Sequence, residues 1–338
     1  MIAFESVTRR FGAVAAVDQA DLAVDRGELL ALLGPSGCGK TTALRLIAGF
    51  ERPDAGVVRI DGEVVAGDGG WTPPERRQAG MVFQDYALFP HLDARRNVAY
   101  GLPRAARRGG RVDELLELVG LAGMGDRYPH ELSGGQQQRV AVARTLAPEP
   151  SVVLLDEPWG SIDHLLRTSM REELSEILRR AGVTVVLVTH EREEAFALAD
   201  RVALMQEGRV VQVGRPEEIY FEPATRWAAE FAGDANFVSG TLVRGVVETP
   251  LGRFAALNGS GGHGDVQALV RPELVAPVPD PAGVDEVVER SFRGHDVFYR
   301  LRLADGRLLC AQRPSDEVVG VGDRVRVTVH QRAVTIFR

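Results

Sequence analysis

Residues 34–42 read Gly-Pro-Ser-Gly-Cys-Gly-Lys-Thr-Thr, and no other stretch of the chain limits its fold so tightly. From Gly34 to Thr41 the stretch matches G-x-x-x-x-G-K-[ST]. Residues 28–33 (ELLALL) predict a short buried strand before it. Residues 41–48 (TTALRLIA) predict a helix after it, with Leu44, Ile47 and Ala48 at helical spacing. A glycine-rich turn between strand and helix lets backbone N–H groups approach phosphate oxygens, and the helix N-terminus adds a positive field. Gly34, Pro35, Ser36, Gly37, Cys38, Gly39, Lys40, Thr41 and Thr42 are therefore candidate nucleotide-binding residues. Lys40 would reach the β- and γ-phosphates, and the Thr41 hydroxyl would ligate Mg²⁺. Cys38 would contribute its N–H, and its thiol is assigned no role.

Lys40 is also the single lysine among 40 basic residues; the other 39 are arginine. A GC-rich genome drifts lysine to arginine wherever either serves. The position that keeps lysine needs a compact charge on a flexible stem rather than a planar fork.

Composition narrows the remaining possibilities. At 338 residues the chain is long enough for two domains. A net charge of −7 disfavours a dominant nucleic-acid role. Two cysteines, Cys38 and Cys310, make no disulfide framework. The first residues lack the apolar core of a signal peptide. No apolar run approaches the roughly 18 residues needed to span a bilayer. Any membrane crossing would then belong to other chains.

Two further segments carry chemistry. Residues 152–155 (VVLL) predict a buried strand that ends in Asp156-Glu157-Pro158. A carboxylate at the end of a parallel strand can hold Mg²⁺ through water, which suits Asp156. Glu157 is then placed to orient or deprotonate an attacking water. Residues 132–139 read Leu-Ser-Gly-Gly-Gln-Gln-Gln-Arg, with Ser133 as an N-cap and a helix through Leu146. Two glycines in the first turn cost about 1 kcal/mol each relative to alanine. A capped surface helix does not account for them, whereas an anion site at the helix start does.

These segments, in this order, resemble the ATPase subunit of an ATP-binding cassette (ABC) transporter, whose signature is LSGGQ. The resemblance covers residues 1 to about 232 and implies further roles. Gln84 in Val82-Phe83-Gln84-Asp85 fits the Q-loop, which contacts Mg²⁺ and the attacking water. His190, after the strand predicted at 183–189, fits the switch histidine on the γ-phosphate. Phe11 fits the aromatic that stacks on adenine, although Phe4 competes for a packing role. Asp163 fits the D-loop aspartate, but Gly160-Ser161-Ile162-Asp163 departs from the usual Ser-Ala-Leu-Asp. The resemblance implies a head-to-tail dimer in which Ser133, Gly134, Gly135 and Gln136 of one subunit close on the nucleotide of the other. A helical subdomain over 85–150 would carry the signature. Leu88 and Phe89 would either line a docking groove for a membrane subunit or pack as core. A long helix over 163–182 packs against the sheet, and helices over 216–231 close the ATPase domain.

Composition shifts after 233–236. Alternating residues at 299–303, an Asp305-Gly306 hairpin, and alternation again at 325–329 predict a small β-barrel. It resembles the OB-like regulatory domain of certain importer ATPases, and Val270-Arg271-Pro272-Glu273 resembles a motif of those domains.

The expected fold class is thus an α/β P-loop NTPase (residues 1–235) followed by a small all-β OB-like domain (236–338). The implied function is the ATP-hydrolysing subunit of a binding-protein-dependent importer, peripheral on the cytoplasmic side of the inner membrane. It would pair with itself or another ATPase subunit and couple to permease subunits. A periplasmic or extracellular solute-binding protein would act indirectly, and no nucleic acid is expected. The runs 83–91 and 233–237 resemble ferric-iron members most. Polyamine, thiamine, sugar, sulfate and molybdate stay open, as does a soluble ABC ATPase without a transport role.

Overall fold

The computed structural model describes residues 1–103, 106–108, 110–159, 164–259, 262–316 and 318–338. It divides into two compact units, Met1–Pro216 and Glu217–Arg338.

The first unit is built on a six-stranded sheet. Its order is Arg209–Gly214, Arg201–Gln206, Leu29–Leu33, Thr184–Thr189, Val152–Asp156, Ala79–Val82. The last five run parallel, and only Arg209–Gly214 is antiparallel. Strands such as LLALL and TVVLVT are buried at every position because both faces of the sheet are covered. Leu30, Leu32, Val152, Leu154, Val186 and Val188 point into one apolar cluster, shared with Leu44 and Ile47 of the helix Lys40–Ala48. Leu29, Val153, Leu155, Val185 and Leu187 point into the other, shared with Val140 and Leu146 of the helix Gly134–Leu146. Met170 packs against that second cluster, and Leu174, Ile177 and Leu178 lie buried within it, as the long helix His164–Ala181 predicts.

A second, antiparallel sheet carries Val14–Val24, Ile2–Phe11, Ala55–Ile60, Glu63–Gly67 and Gly70–Trp71 in that order. Buried Arg77 ties it to the phosphate-loop helix. Its guanidinium donates to the carbonyls of Leu46 and Ile47 at the helix end, and to those of Val65 and Thr72. Burial lowers its pKa to about 10.

Parallel strands end on one edge. Leu33 pairs with Thr189, Asp156 with Val188 and Val82 with Leu155. The residues that follow these four strands are the phosphate loop, His190, Glu157 and the turn bearing Gln84. The sheet therefore gathers groups that lie as much as 156 positions apart in the chain, as Gly34 and His190 do.

Among its described residues the second unit is all-β apart from two α-helices and the short 3-10 turn Pro272–Leu274. One sheet has the order Ala333–Val334, Gly252–Ala256, Val246–Thr249, Asn236–Val243, His263–Val270, Ile336–Phe337. The other has Val275–Pro279, Arg324–Val329, Asp285–Phe292, Asp296–Arg302, Leu308–Pro314. The predicted hairpin joins the last two strands, with Gly306 at φ 83°.

The helices Pro216–Phe221 and Arg226–Ala232 follow the division between the two units. They cohere with the second unit. The cause is Arg271, which is fully buried. It donates to the carbonyls of Tyr220, Ala229, Gly233 and Asp234, and its guanidinium lies 4.0 Å over the Tyr220 ring. Burial, with Glu273 beside it, pushes the Tyr220 hydroxyl up to about 12.

Candidate functional site

The phosphate loop leaves Leu33 and enters the helix Lys40–Ala48 through Gly39, which sits at φ 106°. An added Cβ at Gly39 would stand 1.9 Å from the Ala16 carbonyl oxygen, and one at Gly34 would stand 2.3 Å from that of Met205. Both glycines are required by space, and Gly39 by conformation as well. No side chain caps the helix, so its first amides face the loop. Lys40 is only 5% exposed, and its ammonium donates to the carbonyls of Gly34 (2.8 Å) and Pro35 (3.0 Å). Those two oxygens hold the cation where phosphate oxygens would take it over. Cys38 is buried, which pushes its thiol pKa up against the opposing charge of Lys40.

Thr41 donates its hydroxyl proton to Asp156 Oδ1 at 3.1 Å. Burial raises the Asp156 pKa, the Thr41 hydrogen bond opposes the shift, and the charge of Glu157 adds to it. A carboxylate whose charge is under-compensated beside a hydroxyl is a donor set suited to a hard divalent cation.

Glu157 adopts φ 43° and donates its N–H to the Val188 carbonyl at 3.0 Å. Its Oε1 lies 3.3 Å from His190 Nδ1. Two clefts meet at this residue. One, of about 220 Å³, is lined by Ser36, Gly37, Gly39, Lys40, Thr41 and Thr42, with Glu157 and Ala16. The other, of about 130 Å³, is lined by Gln84, His190, Trp159 and Thr189, with Glu157 again. The structure thus brings together the loop, Asp156, Glu157, His190 and Gln84.

Phe11 is 48% exposed with Arg9 over its ring at 4.7 Å, whereas Phe4 is 4% exposed and belongs to the core. The two phenylalanines therefore do not compete. Ser133 caps the helix Gly134–Leu146, accepting from the Gln136 N–H, while its own N–H donates to Gln136 Oε1. Ser133, Gly134, Gly135 and Gln136 line neither cleft. Asp163 and the rest of 160–163 lie outside the described residues. Leu88 and Phe89 are half-buried: Leu88 packs on the core, and Phe89 stacks near Tyr100 at 4.2 Å.

Sequence reasoning missed three contributors. Ala16 closes the loop from the antiparallel sheet. Gln138, buried on the signature helix, donates to the Pro158 carbonyl beside Glu157 at 3.2 Å. Glu194 lines the smaller cleft and binds Thr189. Only Glu194 left a trace in the sequence, as an acid in the first turn of the helix after His190.

Similarity to known proteins agrees with this geometry. The ABC transporter family model matches residues 17–160, and the TOBE domain model matches residues 268–337. The Fe(3+) ions import ATP-binding protein FbpC 1 of Rhodococcus jostii is 45% identical over 337 residues, covering 98% of this chain and 97% of the relative. A sulfate/thiosulfate import ATP-binding protein of Chromobacterium violaceum is 48% identical over 317 residues, covering 89% and 84%. A spermidine/putrescine import ATP-binding protein of Rubrobacter xylanophilus is 45% identical over 331 residues, covering 93% and 87%. Among solved structures, an ATP-binding cassette in a dimeric post-hydrolysis state bound to ADP and Pi has a TM-score of 0.54. It is 31% identical, covering 64% of this chain and 98% of that one. The chain belongs to the ABC transporter family, as a nucleotide-binding cassette followed by a TOBE domain.

Proposed function

We propose that this chain is the ATP-hydrolysing subunit of an importer for ferric iron. The observation that carries hydrolysis is Glu157, which lines the phosphate-loop cleft and the cleft of Gln84 and His190 at once. ATP would seat its phosphates on the amides of residues 34–42, and Lys40 would exchange its two loop carbonyls for β- and γ-phosphate oxygens. Phe11 would offer its exposed face to adenine. Thr41, Asp156 and Gln84 would hold Mg²⁺, which supplies charge neutralisation on the phosphate oxygens.

Glu157 would orient the water that attacks the γ-phosphorus and take its proton as the bond to the leaving ADP oxygen breaks. His190, 3.3 Å from Glu157, would hold the γ-phosphate and that carboxylate in one arrangement. Ser133, Gly134, Gly135, Gln136 and Asp163 would serve the site of a second copy, or of a paired ATPase subunit. The resemblance to a dimeric cassette supports that arrangement. No helix among the described residues is long and apolar enough to cross a membrane. The chain would work from the cytoplasmic face against permease subunits, with a solute-binding protein on the far side.

The near-complete coverage of the ferric-ion relatives supports iron as the solute. Sulfate is the second reading, favoured by the 48% identity of the sulfate/thiosulfate relative. Turnover by the chain assembled with its permease in nanodiscs separates them, with the binding protein loaded in turn with ferric iron and with sulfate. Stimulation by iron alone is expected, and stimulation by sulfate alone reverses the assignment. Glu157→Gln tests the chemistry: kcat should fall by about 10²–10⁴-fold with ATP binding retained. Normal turnover by that variant would remove Glu157 from its role.

A further inference from the structure

His190 is 47% exposed at its side chain, so packing does not fix its imidazole. Its place is set by the backbone of 188–191, and that backbone is held from below. Thr189 Oγ1 accepts from the Glu191 N–H at 3.0 Å and donates to Glu194 Oε2 at 2.5 Å. The other Glu194 oxygen accepts from Arg171 Nη2 at 2.9 Å. Both partners of this ion pair are nearly buried, with side chains 12% and 4% exposed. The hydrogen bonds at residues 189 and 191 bracket His190, and the Val188 carbonyl on the same segment accepts from the Glu157 N–H.

We propose that the buried Arg171–Glu194 pair, acting through Thr189, is a positioning device that sets the distance between His190 and Glu157. The inference rests on the reading of those two residues as hydrolytic. The physical argument is one of specificity. A buried ion pair desolvates two charges, and replacing it with apolar residues is often neutral for stability. Here both carboxylate oxygens are spent, one on the long helix and one on the strand end that bears the histidine. The contact gives the segment a single arrangement. Neither Arg171 nor Glu194 touches nucleotide in this scheme.

The test uses the purified full-length chain. Thr189→Val keeps the branched shape and removes the hydroxyl. It should lower kcat at least tenfold, leave the half-saturating MgATP concentration within twofold, and keep the thermal midpoint close to that of the wild type. Thr189→Ser should restore most of the turnover. Because Thr189 acts through His190, Thr189→Val/His190→Ala should be no slower than His190→Ala alone. If Thr189→Val does not fold, Arg171→Met/Glu194→Gln, which removes both charges together, should show the same loss of kcat at constant half-saturation. Wild-type turnover by these variants, or losses that multiply in the Thr189→Val/His190→Ala variant, would overturn the positioning role. His190→Ala separates the two levels. A slow His190→Ala beside a fast Thr189→Val removes only the positioning device. A fast His190→Ala removes the hydrolytic reading beneath it.

Discussion

The helix Lys40–Ala48 starts at a glycine with no side-chain cap, whereas the helix Gly134–Leu146 starts with a closed capping box. At the first, the amides point into a cleft and the nearest cation is held by two loop carbonyls. At the second, the Ser133 hydroxyl and the Gln136 carboxamide satisfy each other's backbone N–H groups. Both starts carry the glycines and the dipole of an anion site, yet only the first is open within a single chain. To take a ligand, the second would have to exchange the bonds of its own box for new ones. That exchange suits a phosphate brought from outside, on the surface of another subunit.

The contrast can be broken at either end. The largest effect belongs to Gly39→Ala, whose Cβ would meet the Ala16 carbonyl at 1.9 Å in a conformation that L side chains rarely adopt. Nucleotide affinity should drop beyond measurement in an equilibrium titration with a fluorescent ATP analogue. Near-normal affinity would mean that the loop is not the preformed half of the comparison.

Next comes Lys40. As the only lysine, it and the N-terminus are the sole targets of an amine reagent, and saturating MgATP should shield Lys40 at least tenfold by mass spectrometry. Equal labelling with and without MgATP would argue that its ammonium never meets the phosphates.

Ser133→Ala is smaller in its effect on the fold, costing about 1 kcal/mol through the lost cap. It should slow turnover while leaving the affinity of the isolated chain for ATP intact. A matching loss of affinity would place the signature within its own chain's site. Smallest in structural effect is Gly134→Ala, because nothing lies within 4 Å of the added Cβ. Calorimetry should show an unchanged or slightly higher midpoint. Any loss of turnover then reports the close approach of a ligand, and full turnover would say that no ligand comes there.

The phosphate loop could be read from the sequence because its chemistry is local. Glycine spacing, one lysine, an apolar strand and a helix are contiguous, and each constrains the same few residues. Asp156 and Glu157 could be read for the same reason, at the end of an unbroken apolar strand. The family resemblance supplied Gln84, His190 and Phe11, which carry no local signature. The exposed Phe11 and buried Phe4 show why: both are aromatic residues on one strand, and only the packing separates them. The pairing of Arg171 with Glu194 could not be read, since two charges on two helices look like solvated surface until a fold buries them. The packing of the helices at 216–232 could not be read for a related reason. Their periodicity predicts helix correctly, but the partner that claims them is an arginine roughly forty to fifty positions downstream.

That arginine has a consequence for modularity. Arg271 fastens the carbonyl ends of both helices to the β-unit, so the seam of the molecule falls at Pro216–Glu217 and not where the strands begin. A gene fusion or recombination joint at residue 235 would strand two helices on the cassette with four carbonyls stripped of their donor. A joint at 216 would move a whole heritable cartridge of helices, guanidinium clasp and strands. Exchange of β-units between cassettes, in evolution or at the bench, should succeed at that earlier joint.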